Sequence, residues 1–226
     1  NITYPIKLMN CQNCGFYQNS TVVNPKIIYK NYIYETTSSS KYLSDHFKSY
    51  AKKVIKKLKL NRNDYVLDIG SNDGTLLKFF KKTTKVVGVE PAKKIAIIAN
   101  NSKIKTIPHY FNTNTVNTLK RNNIFPKVIT LNNTFANIDN IYSLVKLIKK
   151  IMLHDSVLII ETSYTGDIVN KKIFDWIYHE HLSYFAINPL NKFFKKLQLE
   201  IFDIEKSNSK GGSVRIYIKR KNHKIQ

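Results

Sequence analysis

The chain has 226 residues, 42% of them hydrophobic and 12% aromatic, which is enough for one sizeable core with a small appendage. Its net charge of +22 points first to nucleic acid or anionic lipid, but Arg62, Arg121, Arg215 and Arg220 are its only arginines. The other 33 basic residues (37 minus 4) are lysines spread over the whole length, in a sequence also rich in Asn and Ile. Phosphate and base readers lean on the planar guanidinium fork, so the charge reads as a composition bias and no nucleic-acid partner is expected. The apolar runs are too short to span a bilayer, so no membrane partner is expected either. "NITYPIKLMN" is no signal peptide, and two cysteines make no disulfide framework, which sets a cytoplasmic expectation. The chain lacks an initiator Met and begins inside what reads as a strand, so it is expected to be a fragment.

In chain order, the first forty residues carry Cys11 and Cys14 and lead into the polar stretch "YETTSSSKYLSDHF" (34–47). A helix follows over 41–58, with Ser40 or Ser44 as its cap and Tyr42, Phe47, Tyr50, Val54 and Leu58 near one face. Strands are predicted at 64–70, 85–90, 127–132 and 156–162, and helices at 75–82, 92–100 and 141–152. Short continuous apolar strands separated by helices describe a mostly parallel sheet covered on both faces. The end differs: 199–206 and 212–219 alternate in and out around "SNSKG", as an antiparallel hairpin does.

"LDIGSNDGTLLKFF" (67–80) places strand, glycine turn and helix in order. Gly70 permits a tight turn, and Gly74 lets the helix begin close to the loop. The amides at that helix start can hold a carboxylate. The spacing is G-x-x-x-G, so neither the dinucleotide fingerprint nor the Walker loop applies. Asp68, Asn72 and Asp73 lie in the same stretch as further candidates. Glu90, at the tip of the second strand in "GVEPA" beside Pro91, can accept hydrogen bonds from both hydroxyls of a ribose. In "ITLNNTFANIDN" (129–140), Asn133, Thr134 and Phe135 are expected over the same crevice.

"IYHEHLSYF" (177–185) packs His179, Glu180 and His181 between Tyr178 and Tyr184. A metal site would need more converging ligands than two histidines two residues apart. Plain packing suits Trp176, Tyr184 and Phe185, but burying three titratable groups is costly unless each is paired. Proton transfer accounts for all three: an imidazole base, a carboxylate to orient it and a phenol for a developing oxyanion. Tyr32, Tyr34 and Ser38 precede the first long helix and could close over a ligand. Arg215, on the last strand, pairs with phosphate or is a surface arginine on a hairpin.

Taken together, "LDIGSNDGTLL", "GVEPA", "NNTFANI", "FDWIYHEHLSYF" and "KGGSVRIYI" occur in an order and spacing that resembles the nucleotide-sugar C-methyltransferases. The resemblance implies an α/β fold with a Rossmann-like class I methyltransferase sheet, mostly parallel with a terminal antiparallel hairpin, over residues 41–226. It also implies a small N-terminal zinc-module remnant and connector over 1–40. S-adenosylmethionine would be the methyl donor, with Phe135 flanking its adenine or sulfonium, and a nucleoside-diphosphate keto-deoxysugar the substrate. His181 would be the base, with Tyr178 and Glu180 in the same site; the residues themselves leave His179 as an alternative. Cys11 and Cys14 would be half of a structural zinc site. Asn137 and Lys210 stand where the family pattern carries histidines, and "IETSYTG" (160–166) and Trp176 also depart from it. These departures touch the identity of the sugar. The alternative reaction is methylation of an oxygen or nitrogen acceptor, for which a base alone would suffice.

Overall fold

The computed structural model describes residues 3–28 and 36–223. In chain order the strands are β1 (Leu8–Asn10), β2 (Tyr17–Asn19), β3 (Tyr65–Ile69), β4 (Lys85–Val89), β5 (Thr106–Ile107), β6 (Val128–Asn132), β7 (Val157–Ser163), β8 (Ser183–Tyr184), β9 (Leu199–Ser207) and β10 (Ser213–Arg220). The helices are α1 (Pro25–Ile28), α2 (Lys41–Lys57), α3 (Thr75–Phe80), α4 (Lys93–Asn101), α5 (Thr113–Arg121), α6 (Ile141–Lys149), α7 (Thr165–Asn170) and α8 (Ile187–Lys196). Seven strands form one sheet in the order β5-β4-β3-β6-β7-β10-β9. β3 to β7 run parallel, and β10 pairs antiparallel with both β7 and β9.

Alternation along these strands builds two cores. Leu67, Ile129, Leu158 and Ile160 face α5, α6 and α8 through Val116, Leu144, Val145, Ile148 and Phe194. Their neighbours Val66, Val128, Val157 and Ile159 face α2 and α3 through Phe47, Tyr50, Val54, Leu77 and Phe80. Ser40 caps α2 by accepting from the Leu43 amide at 3.3 Å, while Ser44 lies inside the first turn.

Three local features depart from the sequence reading. β10 is buried on both faces from Ser213 to Ile218, because it lies between β7 and β9; only the edge strand β9 shows partial exposure along its length. The β9–β10 connection contains a short 3-10 turn over Ser209–Gly211, with Lys210 left-handed at φ 51°. α5 arises from an Asn- and Thr-rich segment of modest helix propensity; the Asn112 side chain caps it, and Val116 and Leu119 bury its inner face.

A second sheet, β1-β2-β8, joins the N-terminal residues to the segment after the histidine block. Among the described residues, no helix is long and apolar enough to cross a membrane.

Candidate functional site

The parallel strands end together, and Asp68, Asn72, Asp73, Glu90 and Asn133 collect along that carboxyl edge. β3 and β4 are in register through Ile69 and Val89, so the Gly70 turn and Glu90 lie side by side. Gly70 is left-handed at φ +76°, and a Cβ there would lie 2.3 Å from the Thr134 hydroxyl. The turn thus packs against the loop after β6 with no room for a side chain.

Glu90 is buried and accepts from the amides of Asn72 (3.0 Å) and Ala92 (2.8 Å), one on each oxygen. Burial pushes its carboxyl above the usual range, against the pull of those amides. Pro91, between Glu90 and Ala92, is half-buried. Asp68 is buried beneath the turn and accepts from Thr130 Oγ1 (2.6 Å) and Asn132 Nδ2 (3.3 Å). Burial pushes Asp68 up to about 7, opposed by those two hydrogen bonds and reinforced by the negative charge of Glu90.

Asn72 and Asp73 brace the loop. Their side chains accept from the amides of Thr37 (3.0 Å) and Ser38 (2.9 Å), which ties the segment before α2 to the turn. Asp73 also accepts from the Thr75 amide at 3.1 Å and its hydroxyl at 2.6 Å. That first-turn amide of α3 is therefore used by the chain's own carboxylate, not left for a ligand as the sequence suggested. Ser38 itself is exposed; Tyr32 and Tyr34 lie outside the described residues.

Asn133 follows β6 with φ 52° and donates its amide to the Glu161 carbonyl at 2.8 Å, which keeps it at the edge. Phe135 does not flank the crevice. Its ring is fully buried, stacked at 5.0 Å on Phe185 and at 6.5 Å on Phe194, because the 3-10 turn over Phe135–Asn137 directs it into the core under α8.

The histidine block joins the same edge from above. The Leu182 amide donates to the Ala136 carbonyl at 2.9 Å, two residues beyond the Thr134 that packs on Gly70. His181 is buried at 8% exposure and both ring nitrogens are engaged. Nδ1 lies 2.9 Å from the Trp176 carbonyl, and Nε2 lies 3.2 Å from the Tyr178 hydroxyl. A carbonyl only accepts, so Nδ1 carries the proton and Nε2 presents its lone pair to the phenol. The indole of Trp176 stacks on the imidazole at 5.3 Å and 18°. Burial, together with the charge of Lys210, holds His181 below its ordinary 6.5, although the Trp176 carbonyl pulls the other way. The group that orients the ring is thus the Trp176 carbonyl, which also accepts from Tyr184 at 3.3 Å, and not the expected Glu180 carboxylate. His179 turns elsewhere, with Nε2 3.0 Å from the Tyr4 carbonyl.

Arg215 is neither a surface arginine nor free for phosphate. It is 4% exposed; Nε and Nη2 donate to Glu161 at 2.9 and 2.6 Å, and Nη1 donates to Glu205 at 3.1 Å. The guanidinium lies 3.7 Å over the Tyr50 ring. Glu161 in turn bonds His46 Nε2 at 2.6 Å. The sequence reading missed His46 and Glu161. The signals were present: His46 stands one turn before Tyr50 on the buried side of α2, and Glu161 is an acid ending the apolar strand β7.

Cys11 and Cys14 lie in the turn between β1 and β2 as free thiols. Among the described residues no group of three His, Cys, Asp or Glu side chains could hold a metal ion, so the expected structural zinc finds no support: two thiols alone do not make a tetrahedral site.

A methyltransferase domain family matches residues 42–204. The chain is similar to C-methyltransferase NovU of Streptomyces niveus, with 25% identity over 215 residues, 95% of this chain and 51% of NovU. It therefore spans about half the length of the curated relative it matches. Among solved structures, it resembles the plantazolicin methyltransferase BpumL in complex with SAH, with a TM-score of 0.59 at 13% identity over 78% of this chain and 82% of that one. It also resembles an S-adenosylmethionine-dependent methyltransferase from Clostridium acetobutylicum, with a TM-score of 0.61 at 13% identity over 87% and 96%. At such identity these likenesses speak to the fold, and it is the fold derived above. With its glycine turn and the family match over residues 42–204, the chain belongs to the methyltransferase domain family.

Proposed function

We propose that the chain is a C-methyltransferase that adds a methyl branch to a nucleotide-linked keto-deoxysugar through an enolate. The observation that carries this reading is a buried, neutral imidazole, His181, whose Nε2 lone pair faces a phenol at the carboxyl edge. The similarity to a protein named as a C-methyltransferase supports the same reaction.

The residues present fit S-adenosylmethionine. The Gly70 turn leaves no space for a side chain, Glu90 is a buried acid beside it, and Asn132 Oδ1 is buried with no partner among the described residues. Asp68, Gly70, Asn72, Asp73, Gly74, Glu90, Pro91 and Asn133 would hold it, with Glu90 accepting from the ribose hydroxyls. When bound, it supplies an electrophilic methyl group on a sulfonium.

A sugar C–H is too weak an acid to lose its proton unless it flanks a ketone. His181 Nε2 takes that proton; a base whose pKa lies near or below neutrality is deprotonated and ready at physiological pH. The Tyr178 O–H, released from the nitrogen as it becomes protonated, donates to the oxygen on which charge develops. The carbon so made nucleophilic would accept the methyl group of a bound donor, the S–C pair returning to sulfur to leave a neutral thioether. An oxygen or nitrogen acceptor would need the base but no ketone.

Methylation with a 13C-labelled methyl donor tests the reaction. A new methyl resonance coupled to a sugar carbon supports C-methylation. A resonance typical of methyl on oxygen or nitrogen contradicts it.

A further inference from the structure

Arg215 and Lys210 both stand at the carboxyl edge, and the structure treats them differently. Arg215 spends its donors on Glu161 and Glu205. Lys210 is half-buried, and among the described residues its ammonium has no hydrogen-bond acceptor and no carboxylate within ion-pairing distance. Its contact is the face of Trp176, with Nζ 5.8 Å from the ring centroid. That indole is the one stacked on His181. The backbone fixes the placement: Lys210 is left-handed at φ 51°, and the following Gly211 (φ +78°) packs within 3.2 Å of Ile173 and 3.5 Å of the Trp176 indole nitrogen, measured from a built Cβ. A non-glycine residue in this region stores strain, which persists where the surroundings hold it.

We infer that Lys210 is a catalytic residue of this site, its ammonium pairing with the oxygen that becomes negative when His181 removes the neighbouring proton. The inference rests on the enolate reading above. In the step, the C–H bond breaks and its proton goes to His181 Nε2. The released pair forms the carbon–carbon double bond, and the carbonyl pair moves onto oxygen. Tyr178 offers that oxygen a neutral hydrogen bond, whereas Lys210 supplies the countercharge. A half-buried ammonium with no carboxylate in ion-pairing contact is only partly compensated by the more distant Glu161 and Glu180, and the enolate provides an anion in direct contact. The charges around Lys210 agree with this. Burial holds it below its ordinary 10.5, offset in part by Glu161 and Glu180, so its proton is held less tightly than that of a surface lysine. Its charge also helps keep His181 unprotonated.

The rival role for a lysine here is to anchor the diphosphate. Lys210→Met, Lys210→Arg and Lys210→Ala are compared with wild type using UDP- and dTDP-linked keto-deoxysugars, with UDP and dTDP alone as binding probes. S-adenosylmethionine binding serves as the folding control. The expected result is a fall of about 100-fold or more in kcat at saturating sugar for Lys210→Met, with UDP and dTDP affinity within about twofold of wild type. Methylamine in the buffer partly restores Lys210→Ala. The acid limb of the Lys210→Met rate profile moves to higher pH, because His181 loses a neighbouring cation while Tyr178 and Glu180 remain. Weakened UDP and dTDP binding with kcat preserved overturns the assignment in favour of diphosphate anchoring. No change in either overturns it in favour of a solvated lysine. A wild type that forms C-methyl product beside an unimpaired Lys210→Met sinks the role of Lys210 alone. A wild type that forms no C-methyl product sinks the enolate reading with it.

Discussion

Glu161 and Arg215 face each other across β7 and β10, and Arg215 directs both Nε and Nη2 to a single oxygen of Glu161. The other oxygen is thereby left for His46 on α2. One buried carboxylate thus fastens the inserted strand β10 and the covering helix α2 to the central sheet.

Removing one member of this group leaves an uncompensated buried charge. Arg215→Met is expected to destabilise the fold by about 3–5 kcal/mol, measured by urea unfolding, with little change in affinity for UDP or dTDP at temperatures where the protein remains folded. The pH dependence has a definite sign. Burial would raise the Glu161 carboxyl, but His46 and Arg215 overcome it and hold it below its ordinary 4.5. Its contribution to stability is therefore complete above that value and lost as pH falls through the lower folded value. Unfolding midpoints that stay flat below pH 4.5 would count against this.

Asp68 behaves in the opposite way. Its folded value of about 7 lies above the ordinary 3.8, so its contribution to stability is complete below 3.8 and declines as pH rises toward 7. A cationic methyl donor favours the ionised form. S-adenosylmethionine affinity is expected to rise with pH between about 5.5 and 8 and to level off above that. Calorimetry in buffers of different ionisation enthalpy should show proton release on binding below pH 7, and Asp68→Asn should abolish that release.

Gly70→Ala places a methyl group 2.3 Å from the Thr134 hydroxyl in a backbone conformation that side chains rarely adopt. Loss of S-adenosylmethionine binding by at least tenfold is expected, with a stability loss on the order of 1–3 kcal/mol. Glu90→Ala should weaken the donor by roughly 10- to 100-fold, because it removes a charged acceptor and frees the Asn72 amide from its brace. Donor titrations followed by tryptophan fluorescence read both variants; normal affinity in Glu90→Ala would remove the ribose assignment.

The two histidines of the block separate cleanly. His181→Ala is expected to lower kcat on the order of 100- to 10,000-fold with donor binding intact. His179→Ala, which loses a bond to the Tyr4 carbonyl, should leave kcat within about threefold. Since burial lowers the His181 value, the acid limb of kcat/KM in the wild type should lie below pH 6.5. An acid limb above 6.5, or a larger loss in His179→Ala, would reverse the assignment.

The sheet was legible because its strands are continuous apolar runs and the turn after its first parallel strand carries Gly70 and Gly74 where φ is positive. Gly70, Gly74 and Glu90 could be placed from spacing alone, since strand register forces their neighbourhood. Phe135 was misplaced because a 3-10 turn of three residues decides which way the ring faces, and no periodicity reports so short an element. Arg215 was misread because β9 and β10 looked alike in sequence, while strand order buries one and leaves the other at the edge. The partner of His181 was missed for a different reason. The acid next to it in sequence suggested a triad, but the chain closes a tight loop in which a backbone carbonyl five residues earlier reaches Nδ1 first. Backbone acceptors leave no trace in residue identity.

Solvent exchange tests the central chemistry most directly. The protein is placed in deuterium oxide with a nucleoside-diphosphate keto-deoxysugar and S-adenosylhomocysteine, so that no methyl can be transferred, and the sugar is followed by proton NMR. Loss of the proton signal at one carbon beside the ketone is expected, catalysed by wild type and absent with His181→Ala. A wild type that methylates a sugar while leaving that proton in place would contradict it.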